Sequence, residues 1–220
     1  MENILTLIHK EFLIEARNKQ GFYTSLLFSL IAVISMSFAS YGQTLNPTLA
    51  SGMLFIVLLF SAVLTVPRVF ISEQDSNTFD LIRTWTTPQT IFAGKLIFSF
   101  LQVLCTGVVL SILFTVFFEI QIKSYLFFFG SLFLGAASLS AASSLCSALA
   151  LGATSRWLLS VVLSVPILLA PLAMCIGAMR VAFGVGSVQG GFENLLGLIG
   201  FVVAMLAIGL KLVGEVWALK

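Results

Sequence analysis

From Gln20 to Pro67 the chain carries no Asp, Glu, Lys or Arg. A domain folded in water must cover its core with polar surface, and the need is greatest in small chains. Only 9% of these 220 residues are charged and 59% are hydrophobic, against roughly 25% charged in soluble domains. The solvent for most of this polypeptide is therefore the bilayer. One crossing takes about 20 apolar residues, so the charge-free stretch makes two crossings. The turn-forming cluster Gln43-Thr44-Leu45-Asn46-Pro47 divides them.

Further charge-free runs occupy Leu96–Phe118, Ser124–Ser155, Trp157–Met179 and Asn194–Leu210. They are solid apolar blocks, without the alternation of a membrane β-barrel. The expected fold is an all-α polytopic membrane protein forming one permease-like domain over 1–220. Its spans fall at roughly 21–41, 49–70, 96–118, 126–151, 157–179 and 194–215. Charges interrupt any apolar core within Met1–Lys19, which argues against a signal peptide there. Ile4, Leu5, Ile8 and Phe12 recur at helical spacing, and 1–19 reads as an amphipathic lead-in helix.

Six spans sort the 11 basic residues nine to two. Lys10, Arg17, Lys19, Arg68, Arg83, Lys95, Arg156, Lys211 and Lys220 share one side; Lys123 and Arg180 stand on the other. Basic residues in short loops mark the cytoplasmic side, so both termini are expected there.

The fourth span carries small residues at every fourth position: Ala136, Ser140, Ser144, Ala148 and Gly152. Lipid gives helices no hydrophobic reason to associate, and small side chains let backbones approach. This stripe predicts a closely packed helix. Pro166 and Pro171 in the fifth span predict a kink. Cys105, Cys146 and Cys175 fall in three different spans without metal-ligand spacing, and read as packing residues. The single histidine, His9, lies in the lead-in. Gly94-Lys95 lacks the upstream glycine of a phosphate loop. Paired acids, histidine clusters and activated nucleophiles are all missing, so the expectation is a non-enzyme that neither binds nor hydrolyses nucleotide itself.

The longest polar stretch runs from Arg68 to Lys95 and holds Glu73, Asp75 and Asp80, three of the nine acidic residues. Phe79, Ile82 and Trp85 follow near-helical spacing, with Asn77 and Thr78 as candidate caps and Pro88 as a boundary. Arg68, Phe70, Glu73, Thr78, Asp80, Pro88 and Lys95, in this order and spacing, resemble the first cytoplasmic loop of exporter-type ABC permeases. In closer detail they resemble haem exporter protein B (CcmB), the permease subunit of the cytochrome c maturation ABC transporter. The similarity continues through Gly135-x3-Leu139, Ala148-Leu149-x2-Gly152-x3-Arg156, Leu158-Leu159 and the fifth-span prolines before Gly177. Asn77 stands where the family usually has Gly, and Thr86 where it usually has Pro.

The resemblance implies a permease of a cytochrome c biogenesis complex, acting in haem export or in ATP-driven release of a haem-loaded partner. It implies a bacterial inner membrane, or the inner membrane of an organelle derived from bacteria. Implied partners are an ABC ATPase of the cytochrome c maturation protein A type, subunits of the protein C and D types, a second copy of the chain, and membrane lipid, but no nucleic acid. ATP would sit on the partner subunit, and haem would be held through partners. Residues 71–95 would form the ATPase-coupling loop, with Glu73, Asp75, Asp80, Arg83, Trp85 and Pro88 as its contact residues. Met174 and Cys175 are soft atoms within a span, more simply read as packing than as haem ligands. The rival readings are an ABC permease for a drug, lipid or polysaccharide, and a membrane scaffold without transport.

Overall fold

The computed structural model describes residues 2–18, 20–41, 45–75 and 86–218. Among these, every regular element is a helix: α1 (Glu2–Asn18), α2 (Gln20–Ala39), α3 (Pro47–Asp75), α4 (Pro88–Phe118), α5 (Tyr125–Ala150), α6 (Arg156–Ala182) and α7 (Val188–Ala218). α2 to α7 each contain a stretch long and apolar enough to cross a membrane, giving six candidate spans. The chain is a polytopic all-α membrane protein. The segment 76–85, with Asp80, Arg83, Trp85 and the expected short helix around Phe79, lies outside the described residues.

Two helices run well past the apolar blocks. α3 has 29 residues and α4 has 31. At about 1.5 Å per residue each exceeds the roughly 30 Å of a hydrocarbon core. Residues 71–75 and 88–95, expected in a loop, are therefore helical. Charge ends an apolar block but does not end a helix. Pro88 sits in the first turn of α4, where its missing N–H leaves no bond broken. Pro47 starts α3 likewise, and Asn46 Oδ1 accepts the Thr48 N–H at 3.0 Å.

α5 is the central helix, packed against α3, α4, α6 and α7. Ala136, Ser140, Ser144 and Ala148 are buried, whereas Gly152 lies beyond the helix end and is exposed. Gly135 lets α3 and α6 close in: a Cβ there would stand 2.7 Å from the Phe55 ring and 3.1 Å from Cys175 Sγ. Phe55, Leu58, Phe114, Leu139, Leu168 and Met179 fill the main core. Hydroxyls stitch the helices together: Ser29 to Ser61 at 2.9 Å, Ser25 to Thr106 at 3.3 Å, and Ser147 to Ser160 at 2.8 Å. α6 stays one helix through Pro166 and Pro171.

α1 is not a span. It rests on α4, beside the end of α3. This end of the bundle, the α1 face, also gathers the ends of α5 and α7, where Trp217 Nε1 donates to the Ala148 carbonyl at 3.3 Å. At the opposite face the Lys123 N–H donates to the Ala182 carbonyl at 2.9 Å, joining the loop after α4 to the end of α6.

Candidate functional site

The site begins with Lys95, the second-turn lysine of α4. Its side chain is 1% exposed. A buried ammonium is tolerated only when its three donors are met. Here Glu11 Oε1 accepts at 3.0 Å, the Val69 carbonyl accepts a second bond, and Glu73 Oε2 adds an ion pair at 2.9 Å. The Phe70 ring lies beneath, its centroid 5.6 Å from the ammonium. Lys10 completes the cluster through an ion pair with Glu73 and a contact of 3.8 Å with Glu11. Two lysines face two glutamates, so the cluster is neutral.

Its members come from three elements. Lys10 and Glu11 belong to α1, Glu73 to the last turn of α3, and Lys95 to α4. Gly94 makes the approach of α1 feasible, since a Cβ there would stand 3.1 Å from Leu7 Cβ. Beneath the charges lies a second apolar layer: Val69, Phe70, Ile91 and Phe92 pack with Val213 and Trp217 of α7. This layer shields the ion pairs from water and fixes the angle at which α3 and α4 leave the bundle. Burial holds the Glu11 carboxyl above its ordinary 4.5, outweighing the pull of the adjacent Lys95.

Glu73 thus sits inside the chain, its side chain 4% exposed, and is held by two lysines. A carboxylate in that position ties α1 and α4 to the end of α3. Pro88 starts α4 just below the cluster. Asp75 closes α3, and Asp80, Arg83 and Trp85 fall outside the described residues. The structure therefore brings together Glu73 with Glu11, Lys10 and Lys95, three partners that sequence reasoning had not joined. The signal was present: Lys95 opens an apolar block, and a charge entering a span needs an opposite charge from elsewhere.

The other candidate atoms take no part. Cys175 is fully buried against Gly135, and the Met174 thioether would lie 2.9 Å from a Cβ at Gly197. His9 is exposed on α1. Among the described residues no three His, Cys, Asp or Glu side chains converge as a metal site. The arrangement cross-braces helices on both sides of the 76–87 connection.

Comparison with curated proteins gives no match. The family model described as CcmB protein matches residues 2–213, which takes in α1, the ion-pair cluster, five spans whole and all but the end of the sixth. On that match the chain belongs to the CcmB family, membrane permease components of ABC systems for haem export and cytochrome c maturation.

Proposed function

We propose that this chain is the transmembrane half of a machine whose ATP-hydrolysing half is a separate subunit docked on the α1 face. The cytoplasmic segment between α3 and α4 receives the push, with Asp80, Arg83 and Trp85 as its contact residues. The observation that carries this reading is the triple tie of Lys95. One ammonium joins α1 to both helices that flank the connection. A displacement of the connection then moves α1, α3 and α4 together. Packed helices turn such a displacement into a rearrangement of the bundle because they have few ways to yield individually.

Membership of the family supports the rest of the reading. The complex serves cytochrome c biogenesis, by exporting haem or by using ATP to release a haem-loaded partner. ATP binds the ATPase subunit, of the cytochrome c maturation protein A type, and haem is handled by subunits of the C and D types. A second copy of this chain completes the membrane part. The membrane is a bacterial inner membrane with both termini cytoplasmic, in accord with the nine-to-two sorting of basic residues.

The test reverses charges of the connection while sparing the brace. Asp80→Lys and Arg83→Glu are expected to lower co-purification of the ATPase and the level of c-type cytochromes. Glu73→Gln should lower cytochrome levels while leaving the ATPase bound. Unchanged ATPase recovery and unchanged cytochromes in the charge-reversed pair refute the coupling role.

A further inference from the structure

Gln102 of α4 is 6% exposed, and neither its amide nitrogen nor its amide oxygen has a hydrogen-bond partner among the described residues. A buried amide in that state costs free energy unless something outside the chain satisfies it. Gln102 stands between two cavities. One, of about 310 Å³, lies among α1, α2 and α4 and is walled by Phe12, Phe22, Tyr23, Phe98 and Leu101. The other, of about 470 Å³, lies toward α3 and the start of α6 and is walled in part by Arg68, Ser72 and Trp157. Glu15, Phe98 and Gln102 belong to both walls.

The two compartments differ in chemistry, and each is incomplete. The first is hydrocarbon-like, and its rim residues Phe12, Tyr23 and Cys105 are exposed, so it is open to the surrounding lipid. The second carries charges of both signs. Arg68 makes no ion pair among the described residues. Glu15 accepts the Phe22 N–H at 2.6 Å through one carboxylate oxygen. The remaining acid, Glu11, is already neutralised by Lys95. A purely anionic head would meet Glu15 and a purely cationic head would meet Arg68. A head carrying both charges satisfies both.

We propose that the paired cavities bind one zwitterionic phospholipid. An acyl chain fills the apolar cavity, a head-group or ester oxygen accepts from the Gln102 amide, the phosphate pairs with Arg68, and the ammonium faces Glu15. The site lies at the α1 face, where α1 meets the bundle and the membrane gives way to water, which is the depth at which such a molecule keeps its own head and tail apart. It is independent of whatever cargo the permease serves.

Cys105 supplies the reporter. It is the exposed thiol on the apolar cavity, whereas Cys146 and Cys175 are buried. The experiment follows the rate at which an apolar maleimide reacts with Cys105 in the full chain, delipidated in detergent, on addition of phosphatidylethanolamine or phosphatidylglycerol. Phosphatidylethanolamine is expected to slow the reaction several-fold and phosphatidylglycerol to leave it nearly unchanged. Gln102→Leu and Arg68→Gln should each abolish the protection. Equal protection by both lipids, protection retained in both variants, or no protection at saturating lipid would overturn the proposal. Should Gln102→Leu fail to elute as a folded species, Arg68→Gln decides alone, since that side chain is exposed and its replacement disturbs no packing.

Discussion

The middle of the bundle and its α1 face are both polar, but in different ways. Midway through the spans the polar groups are hydroxyls. Most satisfy themselves on their own helix, as Ser164 does on the Ser160 carbonyl at 2.7 Å and Thr106 on the Gln102 carbonyl at 3.0 Å. A second contact then reaches the neighbouring helix. At the α1 face the cluster is built of full charges, and its closest pairs all join different elements. The difference follows from solvation. A hydroxyl bonded to its own backbone is cheap to bury, so it can be spread through hydrocarbon. A charge is costly to bury and is kept where several elements converge to neutralise it. Hydroxyls therefore set how closely helices pack, while the charge cluster sets which helices move together.

The strongest test of that contrast removes the ammonium. Lys95→Met leaves Glu11 and Glu73 buried against each other and should cost about 3–5 kcal/mol, read as a lower unfolding midpoint in detergent. Adding Glu11→Gln and Glu73→Gln to it should recover most of the loss, because the one charge of the cluster then left, the Lys10 ammonium, is partly exposed to water. If the single and triple variants are equally unstable, the cluster acts by shape and the contrast fails. Next in size is Gly135→Val. Its added carbons must displace the Phe55 ring, and overpacking of this kind costs about 1–3 kcal/mol. A smaller effect is expected from Ser29→Ala and Ser61→Ala. Their double-mutant cycle should return a coupling of about 0.6 kcal/mol, typical of interhelical bonds in membranes. A coupling several times larger would mean that the hydroxyls brace the bundle as the charges do.

The smallest effect concerns pH. A carboxyl that holds its proton more tightly folded than unfolded favours the folded state in acid, and that contribution is lost as pH rises from about 4.5 through the raised value of Glu11. Glu11→Gln should therefore remove this downward part of the stability profile. An unchanged profile would place the titration elsewhere in the cluster.

The spans were legible because charge-free blocks report hydrocarbon directly, and all six appear as helices. Their ends were not. α3 continues through Glu73 and Asp75, and α4 begins at Pro88, because backbone hydrogen bonding carries a helix into water without regard to hydropathy. The small-residue register from Ala136 to Ala148 foretold close packing, but Gly152 shares the spacing and lies outside the helix, since a period says nothing about where an element stops. In the site, Glu73 was picked out by its place in the loop motif. Its engagement with Lys10, 63 positions away, was hidden, because hydropathy reads each span alone and ion pairs join residues remote in sequence. Gln102 was missed for the opposite reason: one amide in an apolar block carries no pattern at all.

The order in which the braced residues leave the ribosome has a consequence for biogenesis. Lys10 and Glu11 emerge first, yet Glu73 and Lys95 emerge only after two spans have been made. Until then α1 has no seat, and its half-apolar surface must wait on the lipid interface. By the time Lys95 is made, every partner of its ammonium already exists, since Glu11, Val69 and Glu73 all precede it in the chain. The cluster thus needs nothing from the second half of the protein to become neutral.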